Sequence, residues 1–233
     1  MSAAVPKRRW WIRIAIGVTV ALGVACGAVA VAAPSVAAVA CPRCYGLTGL
    51  GGGVYAERDD DSYRRLVDAA EQRVAAFYGG REAHARVLIC ATDACYRRIG
   101  GGAEKGRALR TKALLLSPAG ANEVIAAHEL AHLELRQRLG AAQSAVPPWF
   151  NEGLAVVVSA DPRYLGPGPD RCRVPYGEAL GVTRADWSAV TKDGGDQGYL
   201  RAACVVSHWV ADRGGPSAVL NLISDLRAGK PVF

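Results

Sequence analysis

The sequence lacks the marks of a nucleic-acid binder. Lys and Arg outnumber Asp and Glu by 28 to 21 over 233 residues, a formal charge of +7. Yet there is no dense basic patch and no interleaving of basic with aromatic residues. Four of the positive charges, Lys7, Arg8, Arg9 and Arg13, precede a long apolar run, which leaves +3 for the rest. No nucleic-acid partner is expected. A phosphate loop is missing too, because Gly100, Gly101, Gly102 and Gly106 lack the Walker spacing and its Lys-Ser/Thr ending. Cys41-Pro42-Arg43-Cys44 has no second pair of similar spacing, which excludes a zinc ribbon. It follows an apolar run and precedes Gly-rich sequence, instead of leaving a strand and opening a helix as a thioredoxin-like site does. A local disulfide is the expectation, with a thiol oxidoreductase as the rival. No cysteine is well placed as a nucleophile.

One further absence defines the N-terminus. From Ile14 to Ala40, 27 residues, there is no charge. A bilayer needs roughly 20 apolar residues, and a cleaved signal has an apolar region of about 7–15. Trp10 and Trp11, beside the basic cluster, suit a membrane interface. Residues 1–40 are therefore expected to be a basic cytoplasmic tip and a transmembrane signal-anchor, with the remainder extracytoplasmic. The alternative is a secretory signal cut after Ala38-Val39-Ala40, which would release the protein. Cys26 falls inside the run, and six cysteines remain. Six allow fifteen pairings. Closeness in sequence suggests Cys41–Cys44 and Cys90–Cys95, leaving Cys172–Cys204. Such usage fits an oxidising compartment.

Against these absences stands one concentrated motif. His128-Glu129-Leu130-Ala131-His132 is an H-E-x-x-H pattern, in a stretch without Gly or Pro from Ala121 to Leu139. Asn122 is a suitable N-cap. Residues i and i+4 share a helix face, so both imidazoles can reach one metal, with Glu129 beside it. Zn2+ suits imidazole nitrogen and carboxylate oxygen. A catalytic site needs a third ligand. Glu152, twenty residues after His132, lies in Trp149-Phe150-Asn151-Glu152-Gly153-Leu154-Ala155. Gly140 and Pro147-Pro148 intervene, which reads as helix, loop, helix, with Glu152 early in the second helix.

H-E-x-x-H followed by W-F-N-E-G-L-A resembles the gluzincin metallopeptidases, above all the peptidase MA-like families. The resemblance covers about Asn122 to Val158. It implies that His128, His132 and Glu152 are zinc ligands and that Glu129 is the general base in peptide-bond hydrolysis. Two departures stand out. One more residue separates His132 from Glu152 than is common in thermolysin and aminopeptidase types. Val156 occupies the position where thermolysin-like enzymes carry a carboxylate that orients a ligand histidine, so the group fixing the histidine tautomer must come from elsewhere. Related families carry a tyrosine after the third ligand that stabilises the tetrahedral intermediate. Tyr199 is the candidate, against the plainer reading of a core tyrosine. No acidic motif for an N-terminal amine stands out, which favours an endopeptidase over an aminopeptidase. The rival of another class is a catalytically silent, zinc-stabilised module that binds peptide or protein at the cell envelope.

The expected fold is α+β: a zincin-like domain over 59–233, with a small sheet beside the H-E-x-x-H helix and a mostly helical C-terminal half. Residues 41–58, with five glycines between Gly46 and Gly53, read as a flexible juxtamembrane linker. Asp59 to Ser62 start a helix that Gly79-Gly80 ends. Arg86–Cys90 and Lys112–Ser117 read as strands. Arg97–Arg107 reads as a mobile loop. By resemblance, Ala113–Leu116 forms the cleft-side edge to which an extended peptide pairs. Asp161–Pro175 reads as a loop over the cleft, and two helices follow, Tyr199–Arg213 and Ser217–Ala228. His84 and His208 read as surface or packed histidines.

Overall fold

The computed structural model describes residues 33–167, 171–192 and 195–232. Most of the expected membrane segment therefore lies outside the described residues. Among those described, no helix is long and apolar enough to cross a membrane. The end of the apolar run forms α1 (Pro34–Ala40), with Ala38 fully buried.

The Gly-rich stretch departs from the expected tether. It holds β1 (Thr48–Gly51) and β2 (Val54–Ala56), paired antiparallel through a turn in which Gly51, Gly52 and Gly53 all have positive φ. Here glycine supplies the left-handed backbone that lets the chain double back. Val54 and Ala56 face inward, which ties β2 to the core, while β1 stays largely exposed.

The helix α2 (Asp61–Tyr78) follows as expected. The Asp60 side chain accepts from the Ser62 N–H, and Gly79 closes it in the left-handed region. Next come β3 (Arg86–Ile89), the short α3 (Asp93–Arg98), β4 (Gly106–Leu109) and β5 (Ala113–Leu116). The sheet order is β1-β2-β3-β5-β4. β2, β3 and β5 run parallel, and β1 and β4 are antiparallel edges.

Two expectations need correction here. β5 is not an edge; it lies between β3 and β4 and is buried on both faces, as a continuous Ala-Leu-Leu-Leu run suits. The edge is β4, taken from the sequence as part of a loop. Its Gly-Arg-Ala-Leu composition has no apolar alternation, and only its pairing with β5 makes it a strand.

The sheet separates two cores. Leu88, Ala113 and Leu115 face α1 and α3, joined by Cys90, Cys95, Tyr96 and Ile99. Val87, Ile89, Leu114 and Leu116 face the larger core, which contains α2, α4 (Glu123–Leu139) and α5 (Pro148–Ser159). The short α6 (Tyr176–Ala179) and α7 (Trp187–Val190) precede α8 (Asp196–Asp212) and α9 (Pro216–Arg227). The fold is thus α+β, with a small mixed sheet and a helical C-terminal half. All three expected disulfides are present: Cys41–Cys44, Cys90–Cys95 and Cys172–Cys204.

Two contacts hold α4 and α5 where the motif needs them. Glu134, with no exposure, accepts from the backbone N–H groups of Glu82 and Ala83 at 2.8 and 2.9 Å and from Arg138 Nε at 2.6 Å. That anchors the loop before β3 to the back of α4. A buried carboxylate with three donors is satisfied; stripped of them it would be costly. At Gly153, α5 crosses α8 so closely that a Cβ would stand 2.5 Å from the Ala202 carbonyl oxygen and 2.7 Å from Val206 Cγ2. In an unobstructed helix Gly→Ala stabilises by up to about 1 kcal/mol. Gly153→Ala is expected to do the reverse, destabilising by about 1–3 kcal/mol through overpacking. Chemical denaturation of the variant checks the sign.

Candidate metal centre

α4 begins with the expected cap, Asn122 Oδ1 accepting from the Ile125 N–H at 3.0 Å. Its length carries His128 and His132 one turn apart on one face. α5 opens at Pro148, where proline's fixed φ suits the first helical turn, and brings Glu152 round to the same point. His128 Nε2 and His132 Nε2 lie 3.1 Å apart, and each is 3.4 Å from Glu152 Oε2. Ligands about 2.0–2.1 Å from a tetrahedral zinc ion are about 3.3 Å from one another. The three donors form a triangle of that size, and among the described residues no Lys or Arg pairs with Glu152. The residues fit Zn2+.

The tautomer of His132 has its own support. Asn151 Oδ1 lies 3.1 Å from His132 Nδ1, where it accepts the ring proton and leaves the Nε2 lone pair free. Asn151 thus orients His132 without a carboxylate at Val156. It sits beside the ligand Glu152, inside the motif, but sequence reading passed over it. The signal was available: Asn151 is the one polar residue of the block besides Glu152. His128 Nδ1 is buried with no protein partner.

Electrostatics follow from the crowding. Burial works against a charge on His132, but the Glu152 carboxylate outweighs it and raises the metal-free imidazole to about 9. Burial opposes ionisation of Glu152 too, and the two histidines reverse that, holding its carboxyl well below the usual range. A divalent cation would take the place of that shared proton.

Glu129 lines the same cleft outside the triangle, on the sheet side. Its Oε2 accepts from the Ala108 N–H of β4 at 3.0 Å. β4 approaches so closely that a Cβ on Gly106 would come 2.8 Å from Glu129 Cγ. Tyr199, from the first turns of α8, completes the opposite wall. Its ring centroid is 6.5 Å from that of His128 and 5.3 Å from Tyr164, on which it stacks. Burial, then the Glu152 charge, raises the Tyr199 phenol, which keeps it protonated and able to donate. Tyr164 is pushed up to about 12, by burial first and then by its 2.9 Å bond to Asp196. The loop from Asp161 does reach the cleft: buried Asp161 holds Arg163 there through paired bonds of 3.0 and 3.1 Å. The cleft so enclosed measures about 610 Å³.

His84 is exposed, and His208 stacks on Tyr176 at 4.2 Å, away from the centre. The Cys172–Cys204 pair near His208 is bonded as a disulfide and offers no thiolate. No family model matches the chain, and no curated protein or solved structure matches it either. The gluzincin resemblance rests on the motif residues alone.

If the triangle takes a metal ion, Asn151→Ala is expected to weaken its binding about 10- to 100-fold, the usual loss for such a partner, with the fold intact. Competition against a chromophoric chelator measures it. Unchanged affinity would remove Asn151 from the ligand-orienting role.

Proposed function

We propose that the protein is a zinc-dependent peptidase, an endopeptidase acting outside the cytoplasm. The observation that carries this reading is the meeting of His128, His132 and Glu152 at 3.1–3.4 Å, with Glu129 alongside and not in the triangle. A purely structural site needs four closed ligands, whereas three with an open side suit chemistry.

His128, His132 and Glu152 would hold the metal, with Asn151 fixing one tautomer. When bound, zinc supplies Lewis acidity and brings the pKa of water toward neutrality. Glu129 takes the proton from the attacking water and passes it to the leaving amine nitrogen. The Ala108 N–H fixes one of its oxygens and leaves Oε1 for this work. Tyr199 donates its phenolic hydrogen to the oxyanion that develops on the former carbonyl. β4, not β5, is the edge along which an extended peptide would lie, because it lines the cleft and pairs with β5 on one side only. The three disulfides support an oxidising compartment. The uncharged run from Ile14 supports attachment to, or export across, a membrane.

The deciding experiment is metal analysis of the purified protein, paired with cleavage of a mixed peptide library with and without chelator. One zinc per chain and cleavage lost on chelation are expected. Zinc without cleavage would favour the silent binding module, and absence of zinc in folded protein would remove both readings. Glu129→Gln is expected to keep the zinc and lose turnover by at least about 100-fold. Tyr199→Phe should lower kcat by about 10- to 1000-fold with KM little changed, as steady-state kinetics would reveal. Equal loss in KM alone would place Tyr199 in substrate packing instead.

A further inference from the structure

The arginines of the cleft are not equivalent. Arg107 pairs with Glu104 at 2.6 Å and donates to the Gly100 carbonyl. Arg163 is held by Asp161. Arg136 has no acidic partner among the described residues. Its one bond runs from Nη1 to the Arg110 carbonyl oxygen at 3.0 Å. A guanidinium carries five N–H donors in a planar fork, so most of its capacity is unspent.

Its position gives that capacity a direction. Arg136 is four residues beyond His132 and so lies on the metal-facing side of α4. It borders the main cleft and a side cavity of about 180 Å³, and His132 and Asn151 border both as well. The side cavity has apolar walls from Leu135, Leu139 and Val146, with uncharged Gln143 and Ser144 beside them. Of the residues that line it, only Arg136 carries a fixed charge, and no Asp or Glu is among them. An aliphatic stem ending in a carboxylate satisfies both the walls and the fork.

Building on the peptidase reading, we propose that Arg136 selects peptides that present a carboxylate beside the metal ligands. The carboxylate belongs to a glutamate side chain or to the peptide's C-terminus. The chemistry is shared, and the source decides whether the cut is internal or terminal.

The test uses the full-length, zinc-loaded Glu129→Gln protein, which holds peptide without cutting it. Fluorescence anisotropy reads the affinity of labelled peptides of one sequence. In one series Glu replaces Gln at each position in turn, with the C-terminus amidated. A further peptide keeps Gln throughout and has a free C-terminus. Binding tighter by about 10- to 100-fold is expected for one Glu position or for the free C-terminus. Adding Arg136→Gln should erase the difference, and Arg136→Lys should restore part of it. Zinc content of each variant confirms that the site is intact.

Equal affinity for Glu and Gln peptides, with a uniform loss in Arg136→Gln, would overturn the proposal and make Arg136 a main-chain or structural contact. A preference that survives Arg136→Gln would overturn it too. Cleavage of the same peptides by the unmodified protein separates the two readings. Cutting without preference sinks only the selection by Arg136. The preference in binding without any cutting sinks only the peptidase. If no peptide is bound or cut, both fall.

Discussion

Three electron-rich groups are forced together at 3.1–3.4 Å by two helices, and most of the structure serves that crowding. Without a cation or a shared proton, two imidazole lone pairs and a carboxylate would not choose to share so small a volume. The helices must therefore be held from behind. Glu134 anchors α4 to the loop before β3. Gly153 lets α5 sink against α8, where a side chain would clash with the Ala202 carbonyl and Val206. The binding of a metal and the packing of the helical core are thus one problem, since each sets the geometry that the other needs.

The cleft is assembled from parts of differing stiffness. Its ligands sit on helices whose inner faces are buried, and so does Tyr199. Glu129 is steadied from the other side by an edge strand that has few apolar contacts of its own. This division is what the proposed peptidase reading requires. The metal-holding groups need fixed positions, whereas a groove for an extended chain has to admit and release it.

Much of this was legible in the sequence because it is local. The spacing of His128 and His132, the caps at Asp60 and Asn122, and the block around Glu152 each work within a few residues. The disulfides followed from closeness, which left one long pairing. What escaped depended on partners distant in the chain. Gly106–Leu109 is a strand only because β5 lies beside it, and the Gly46–Gly53 stretch joins the sheet only because it pairs with β2, which in turn pairs with β3. Side-chain roles divided the same way. Asn151 needed the second helix to be turned toward His132, and the isolation of Arg136 needed knowledge of which acids had found other arginines. Tyr199 was a candidate by resemblance, and the structure brings it beside His128.

The bond between Cys172 and Cys204 has a consequence beyond the stiffening of a loop. It closes a ring that takes in the exposed segment with α6 and α7. The strand of chain just before the ring carries Arg163 and Tyr164, and the helix that completes it carries Tyr199. If a neighbouring protease nicked the segment, the two pieces would stay covalently joined, and both cleft walls would remain attached to the same molecule. A protein exposed to proteases could then lose continuity of its backbone at that point without losing that wall of the cleft.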